Sequence, residues 1–288
     1  MILEELIYKR FVSSQELASK LAVYHGTPAI FSAEPPTDGQ EGWGGHIQYP
    51  KIIYSFDLQA NQERHSAGAL SVSLLCQNTA DIMPETIEPL VRDCLRDVVL
   101  MPKGGTPYGF AWARTDAFTI EGSMTIGSEI RFDILEYPSQ ETSDPDPVMA
   151  VNQYIKDAYP ECIIIGYDRM EEVIEASTEQ PVVYSRLVSV VKSKETNTVA
   201  WMDGKIAVHI LCPDSGRRIK LAQTIANSLS LDGEVVMLDN SPMFIQGLEV
   251  DYQSDYLKNG QIVIEGHYGL LRYQEQPHAL QAIHVKYR

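Results

Sequence analysis

The chain has 288 residues, 44% of them hydrophobic and 22% charged, with 39 acidic against 23 basic side chains and a formal net charge of −16. At roughly 100 to 200 residues per domain this length predicts two domains with sizeable cores, and the composition excludes wholesale disorder, collagen and coiled coil. A surface that negative repels phosphate backbones and anionic lipid, so stable nucleic-acid binding is not expected.

The opening Met1-Ile2-Leu3-Glu4-Glu5-Leu6 places acids where a signal peptide needs basic residues. The expectation is release into a reducing cytosol, with no membrane association, since no stretch approaches the roughly 20 apolar residues of a span. Ser13 and Glu16 have capping-box spacing ahead of Leu17 and Leu21, which predicts a first helix. Ile52-Ile53-Tyr54-Ser55 reads as a strand, and Leu70, Val72, Leu74 and Cys76 alternate as a half-buried one. A polar turn, Gln77 to Asp81, leads to Ile87, Val91 and Leu95 at helical spacing. Val98 to Met101 and the alternation of Ile126, Phe132, Ile134 and Tyr137 supply further strands.

The same order then recurs. Ile206, Val208, Ile210 and Cys212 repeat the alternation 136 residues on, followed by a turn at Pro213 to Gly216 and a helical stripe at Ile219, Ala222, Ile225 and Leu229. Val182-Val183-Tyr184-Ser185 matches Ile52 to Ser55, and Val235 to Leu238 matches Val98 to Met101. The last strand pairs Ile126 with Ile262, Phe132 with Tyr268, Ile134 with Leu270 and Tyr137 with Tyr273 at the same offset of 136. Gly204 after Asp203 reads as a hairpin turn. Tyr137 to Pro145 is a polar, proline-bounded linker, after which Asp146 and Pro147 supply an N-cap and a first helical residue. The expected fold is therefore α+β, two tandem copies of a mostly antiparallel sheet domain with helices on one face. The domains are 1–138 and 146–273, with a C-terminal arm at 274–288.

Chemistry leaves little mark. The glycines at 42, 44, 45, 104 and 105 lack phosphate-loop spacing, and the seven histidines form no HxH, HxxxH or HExxH motif. Cys76, Cys94, Cys162 and Cys212 form no CxxC pair and read as core thiols rather than nucleophiles. Arg217-Arg218-Ile219-Lys220, the densest basic cluster, reads as a solvated first helical turn. No catalytic residue, cofactor or metal is predicted.

A phrase in the first copy carries a resemblance. Gly26 to Phe31, Trp43, Gln48 to Ile52, Asp57 to Arg64 and Ser66-Ala67-Gly68 resemble tail proteins of long-tailed bacteriophages and prophages, in the tail-terminator or tail-completion group. The resemblance implies a structural virion protein without catalysis, made in the host cytoplasm and located in the virion tail. There it would form a ring at the head-proximal end of the tail tube, contacting tube and neck proteins. A neck or head-tail connector protein is the alternative in the same class, and a small-molecule enzyme on a duplicated scaffold the alternative outside it. Assembly contacts are expected at Trp43, Gln59, Asn61, Glu63 and Arg64. The second copy replaces this phrase with Lys192 to Trp201, a diverged hairpin tip. Because family tubes are sixfold, two domains per chain imply a homotrimer with pseudo-sixfold symmetry. In the arm, Leu280, Ile283 and Val285 are placed to add an edge strand to a neighbour.

Overall fold

A computed structural model describes residues 1–40, 43–60, 66–78, 81–140, 143–253, 257 and 260–272. The first half contains α1 (Leu3–Ser13), α2 (Gln15–Lys20), a small ribbon of β1 (Val23–Tyr24) and β2 (Thr27–Pro28), then β3 (Ile30–Ser32), β4 (Lys51–Asp57), β5 (Gly68–Gln77), α3 (Pro84–Leu95), β6 (Val98–Leu100), β7 (Tyr108–Thr119) and β8 (Thr125–Glu136). The second contains α4 (Pro147–Ala158), β9 (Ile163–Ile164), β10 (Val173–Glu175), β11 (Val182–Glu195), β12 (Val199–Leu211), α5 (Ser215–Asp232), β13 (Glu234–Val236), β14 (Pro242–Val250) and β15 (Ile262–Leu271).

Strand order is the same in both halves. The first sheet runs β6-β7-β8-β5-β4-β3 and the second β13-β14-β15-β12-β11-β9, and in each only the last pair is parallel. A bulge interrupts the equivalent strand of each, between Trp112 and Arg114 in β7 and between Ile245 and Gly247 in β14. Helices pack on one face of each sheet. Leu6, Ile7 and Phe11 of α1 and Ile87, Val91 and Leu95 of α3 meet Leu70, Val72, Leu74 and Ile130 in one core; Val148, Val151, Ile225 and Leu229 meet Val208, Ile210 and Ile262 in the other. The chain is an α+β protein of two tandem, mostly antiparallel sheet units.

One strand breaks the repeat. β10, from the second half, pairs antiparallel with β6 and becomes the seventh strand of the first sheet, with Val173 opposite Leu100 and Ile174 opposite Val99. A third core lies behind that pairing, where Val99, Ala111, Leu135 and Tyr137 on the outer face of the first sheet meet Ile165, Ile174, Ala176, Val182 and Tyr184. The boundary at 138/146 falls in the polar linker, but the two units share a sheet and a core.

Four details correct the sequence reading. A uniform offset of 136 would set Ile206 opposite Tyr268, as Leu70 stands opposite Phe132; Ile206 in fact faces Ile264. The ladder has slipped by four residues, an even number that keeps every apolar side chain on its face and is invisible to a period-2 comparison. Tyr273, the proposed mate of Tyr137, lies outside the described residues. Upstream the match is off by one. Leu74 faces Ile52 and Ile210 faces Val183, so Ile52 corresponds to Val183 rather than Val182. The odd shift turns Val182 and Tyr184 to the outer face while Tyr54 points into the first core. Gly204 is not a turn but a mid-strand residue opposite Val190 and Gly266, its missing side chain leaving room for the Tyr268 ring, 3.1 Å from where a Cβ would sit. Helix α1 already spans Leu3–Ser13, and the cap is Ser14, whose Oγ accepts from Leu17 N–H at 3.3 Å and starts α2.

The predicted start of α4 holds: Asp146, 3% exposed, accepts hydrogen bonds from Val148 N–H at 2.8 Å and Met149 N–H at 3.0 Å, and Pro147 occupies the first turn. Asp146→Ala removes the one oxygen, Oδ1, that accepts both bonds. It is expected to lower the unfolding free energy by about 1–2 kcal/mol, measured by chemical denaturation.

Candidate assembly surfaces

The predicted contact residues fall in three situations. Gln59 is exposed just beyond the end of β4. Asn61, Glu63 and Arg64, like Leu280, Ile283 and Val285, lie outside the described residues. Trp43 requires a correction: it is only 4% exposed and sits edge-on to Tyr24 and Phe31, with ring centroids 5.0 and 5.8 Å away. Its indole anchors the loop between β3 and β4 from inside, which a residue flanked by glycines in sequence does not disclose.

The diverged hairpin is longer than expected. β11 and β12 run as a ladder from Val182 opposite Leu211 out to Glu195 opposite Ala200, whereas β4 ends at Asp57. Only the root of β11 is buried; Val188, Val190 and Val191 are 44%, 37% and 62% exposed. Two bulges along β11 increase the twist of this projection. Polar and aromatic groups brace it. Trp201 stacks on His267 with centroids 4.9 Å apart and planes 5° from parallel, and His267 Nδ1 lies 2.6 Å from Asp203 Oδ1. That contact holds the Asp203 carboxyl below its usual range. Near the tip, Glu195 pairs with both Lys192 and Arg272. A stiff projection with an exposed valine row is suited to a protein contact.

Sheet edges provide further surface. Beside the edge strand β3 a groove of about 790 Å³ is lined by Tyr8 and Glu4 of α1 together with Ile30, Phe31 and Tyr54. At the far edge of the second sheet, β13 leaves Val236 and, just beyond, Leu238 58% and 54% exposed. A second groove, of about 670 Å³, separates this edge from α4 and is lined by Tyr154, Asp157, Asp232 and Glu234 among others. Neither edge was marked in sequence, because which strand is outermost depends on long-range pairing.

Titratable groups with strong shifts are buried thiols and phenols. Burial pushes Cys76 up to about 12 and Cys162 to about 11, and raises Cys94 and Cys212 as well. All four thiols are buried and free, held in the protonated form that is a poor nucleophile. Burial also raises the Asp97 carboxyl, against the nearby Arg96 and Arg218 charges. Asp97, His209 and Arg218 border a cavity between the halves of only about 20 Å³, room for a single water rather than a substrate. Arg217 and Arg218 are tied down rather than merely solvated: Arg217 pairs with Glu161 at 2.9 Å and Arg218 donates to the Cys212 carbonyl at 2.9 Å. Among the described residues no group of three or more His, Cys, Asp or Glu is placed to hold a metal ion. No helix among them is long and apolar enough to cross a membrane.

No family model matches the chain. No curated protein matches it either. Among solved structures, a chain from the virion of a native gene transfer agent particle is similar over 47% of this chain and 95% of its own length, with 16% identity and a TM-score of 0.36. A likeness that slight carries no argument about this chain.

The thiols yield a pH prediction. Unfolded cysteine ionises near the ordinary value of 9, whereas native Cys76 keeps its proton to about 12. Between those values the unfolded chain binds fewer protons than the native one, so stability falls as pH rises through this window. Denaturation midpoints should decline steadily above about pH 9. At pH 8 a thiol reagent such as DTNB should label fewer than one cysteine per native chain and all four after denaturation.

Proposed function

We propose that the chain is a structural component of a phage-type tail, acting as a tail terminator that forms a ring at the head-proximal end of the tail tube. The observation that carries this reading is the junction between the halves. The edge of one unit, β6, takes a strand from the next unit of the same topology, a head-to-tail contact between unlike surfaces. Such contacts, repeated from chain to chain, generate rings when the rotation closes. Three chains of two units fill the six places of a sixfold tube, so the assembly is a homotrimer with pseudo-sixfold symmetry. Its further partners are tail tube and neck proteins.

The motif resemblance in residues 26–68 supplies the tail assignment, and the projecting β11–β12 hairpin the surface for neighbours outside the ring. With all four thiols buried away from the open grooves, binding rather than catalysis is the activity these surfaces support. The net charge of −16 suits a lumen through which duplex must slide without being held.

Light scattering is expected to show a species of about 97 kDa, three chains of 32.3 kDa, and negative-stain images a ring. A stable two-fold dimer as the sole assembled form would sink the reading. Mixed with purified tail tubes, the protein should cap their head-proximal ends; attachment at the portal instead would favour a connector. In an anisotropy assay at physiological salt, duplex DNA should show no submicromolar binding.

A further inference from the structure

The two halves treat the same sheet edge differently. In the first, β6 is covered: Met101 N–H donates to Glu172 O and Ala176 N–H to Asp97 O, at 2.8 and 2.9 Å, so residues 97 to 101 exchange hydrogen bonds with 172 to 176. In the second, β13 is the outermost strand of its sheet. There Ile245 N–H donates to Gly233 O and Met237 N–H to Ser241 O, so residues 233, 235 and 237 face β14 while 234, 236 and 238 face away from it. These outward residues correspond to 97, 99 and 101. The side chains differ accordingly: Val99 is fully buried under Ile174, and its counterpart Val236 is 58% exposed.

Charge indicates what the open edge accepts. In the covered junction the helix-side rim is basic and the added strand acidic, Arg10 of α1 meeting Glu175 of β10 at 2.9 Å. At the open edge the rim is acidic. Asp157 of α4, Asp232 at the end of α5 and Glu234 line the groove beside β13. The complementary strand must alternate, with apolar residues on the outer face beside Val236 and Leu238 and basic residues on the helix side near Asp157. The chain's own last six residues, Ile283-His284-Val285-Lys286-Tyr287-Arg288, have that alternation, with Ile283, Val285 and Tyr287 in one set and His284, Lys286 and Arg288 in the other.

We infer that β13 is the docking edge for residues 283–288, which add to the second sheet as β10 adds to the first, with the charges of the junction reversed. The inference rests on the duplication, and the tail reading enters only in making a neighbouring copy the donor. Backbone pairing at 234 to 238 supplies affinity, and the Lys286 and Arg288 charges against Asp157 and Asp232 select this segment over β10-like acidic ones.

Hydrogen exchange on the full chain tests it directly, read at the outward amides of Val236 and Leu238. Protection of at least tenfold over their unstructured rate is expected. The double substitution Lys286→Glu with Arg288→Glu should abolish that protection without moving the amides of Val208 or Ile262. Adding Asp157→Lys and Asp232→Lys should restore it. Exchange at the unstructured rate in the unaltered chain, or protection indifferent to the charge reversal, would overturn the inference. Molecular mass separates the two readings: a protected edge in a monomer retains the pairing and removes the ring, whereas a ring with an unprotected edge does the opposite.

Discussion

The organisation of this protein depends on one junction, the addition of β10 to β6 with the apolar layer behind it. Each half has a core of its own, and with only the polar linker between them the halves would be free to reorient. Val99, Ile174, Ala176, Val182 and Tyr184 are at most 5% exposed in the junction, and burying a side chain the size of valine contributes on the order of 1.5–3 kcal/mol. The Arg10–Glu175 ion pair at the rim contributes far less, because Glu175 is 61% exposed and solvent screens the pair. Apolar burial therefore holds the halves together, and the ion pair helps to set the identity of the strand.

The junction also accounts for how two copies of one topology came to differ. An odd, one-residue shift between β4 and β11 sends Val182 and Tyr184 to the outer face, where Tyr184 meets Tyr137 edge-on with centroids 5.2 Å apart and donates from its hydroxyl to the Pro138 carbonyl at 2.9 Å. The even shift in β15 has no such effect, since it moves residues along the ladder without moving them across the sheet. Divergence is thus concentrated where the copies touch and where they face outward, at the β11–β12 projection. The two helix-covered cores keep the same arrangement.

For function, the consequence is a chain whose distinctive features are edges and projections. The four thiols are buried and neutral and the junction cavity is the size of one water, while the two edge grooves and the β11–β12 projection are open. A unit that offers one edge to a strand from the next unit makes a head-to-tail contact, which repeats as a ring where the rotation closes and as an open filament where it does not, and the chain contains that contact once within itself.

Residue patterning by itself determined the duplication, the α+β class, the half-buried strands at 70–76 and 206–212, the helix carrying Ile87, Val91 and Leu95, and the cap at Asp146. All of these rest on local periodicity or cap chemistry, which are encoded within a few residues. Tertiary structure decided the rest. Period-2 alternation is blind to an even slip, so the offset of 136 on the last strand went unchallenged; a glycine after an aspartate looks like a turn until its strand partners are known; and Trp43 between glycines looks exposed until Tyr24 and Phe31 close around it. The pairing of Val173–Glu175 with Val98–Leu100 joins segments more than seventy residues apart, and nothing local to either three-residue strand specifies its mate. Which edge is covered and which is open, on which the assembly surfaces depend, was therefore settled only by long-range packing.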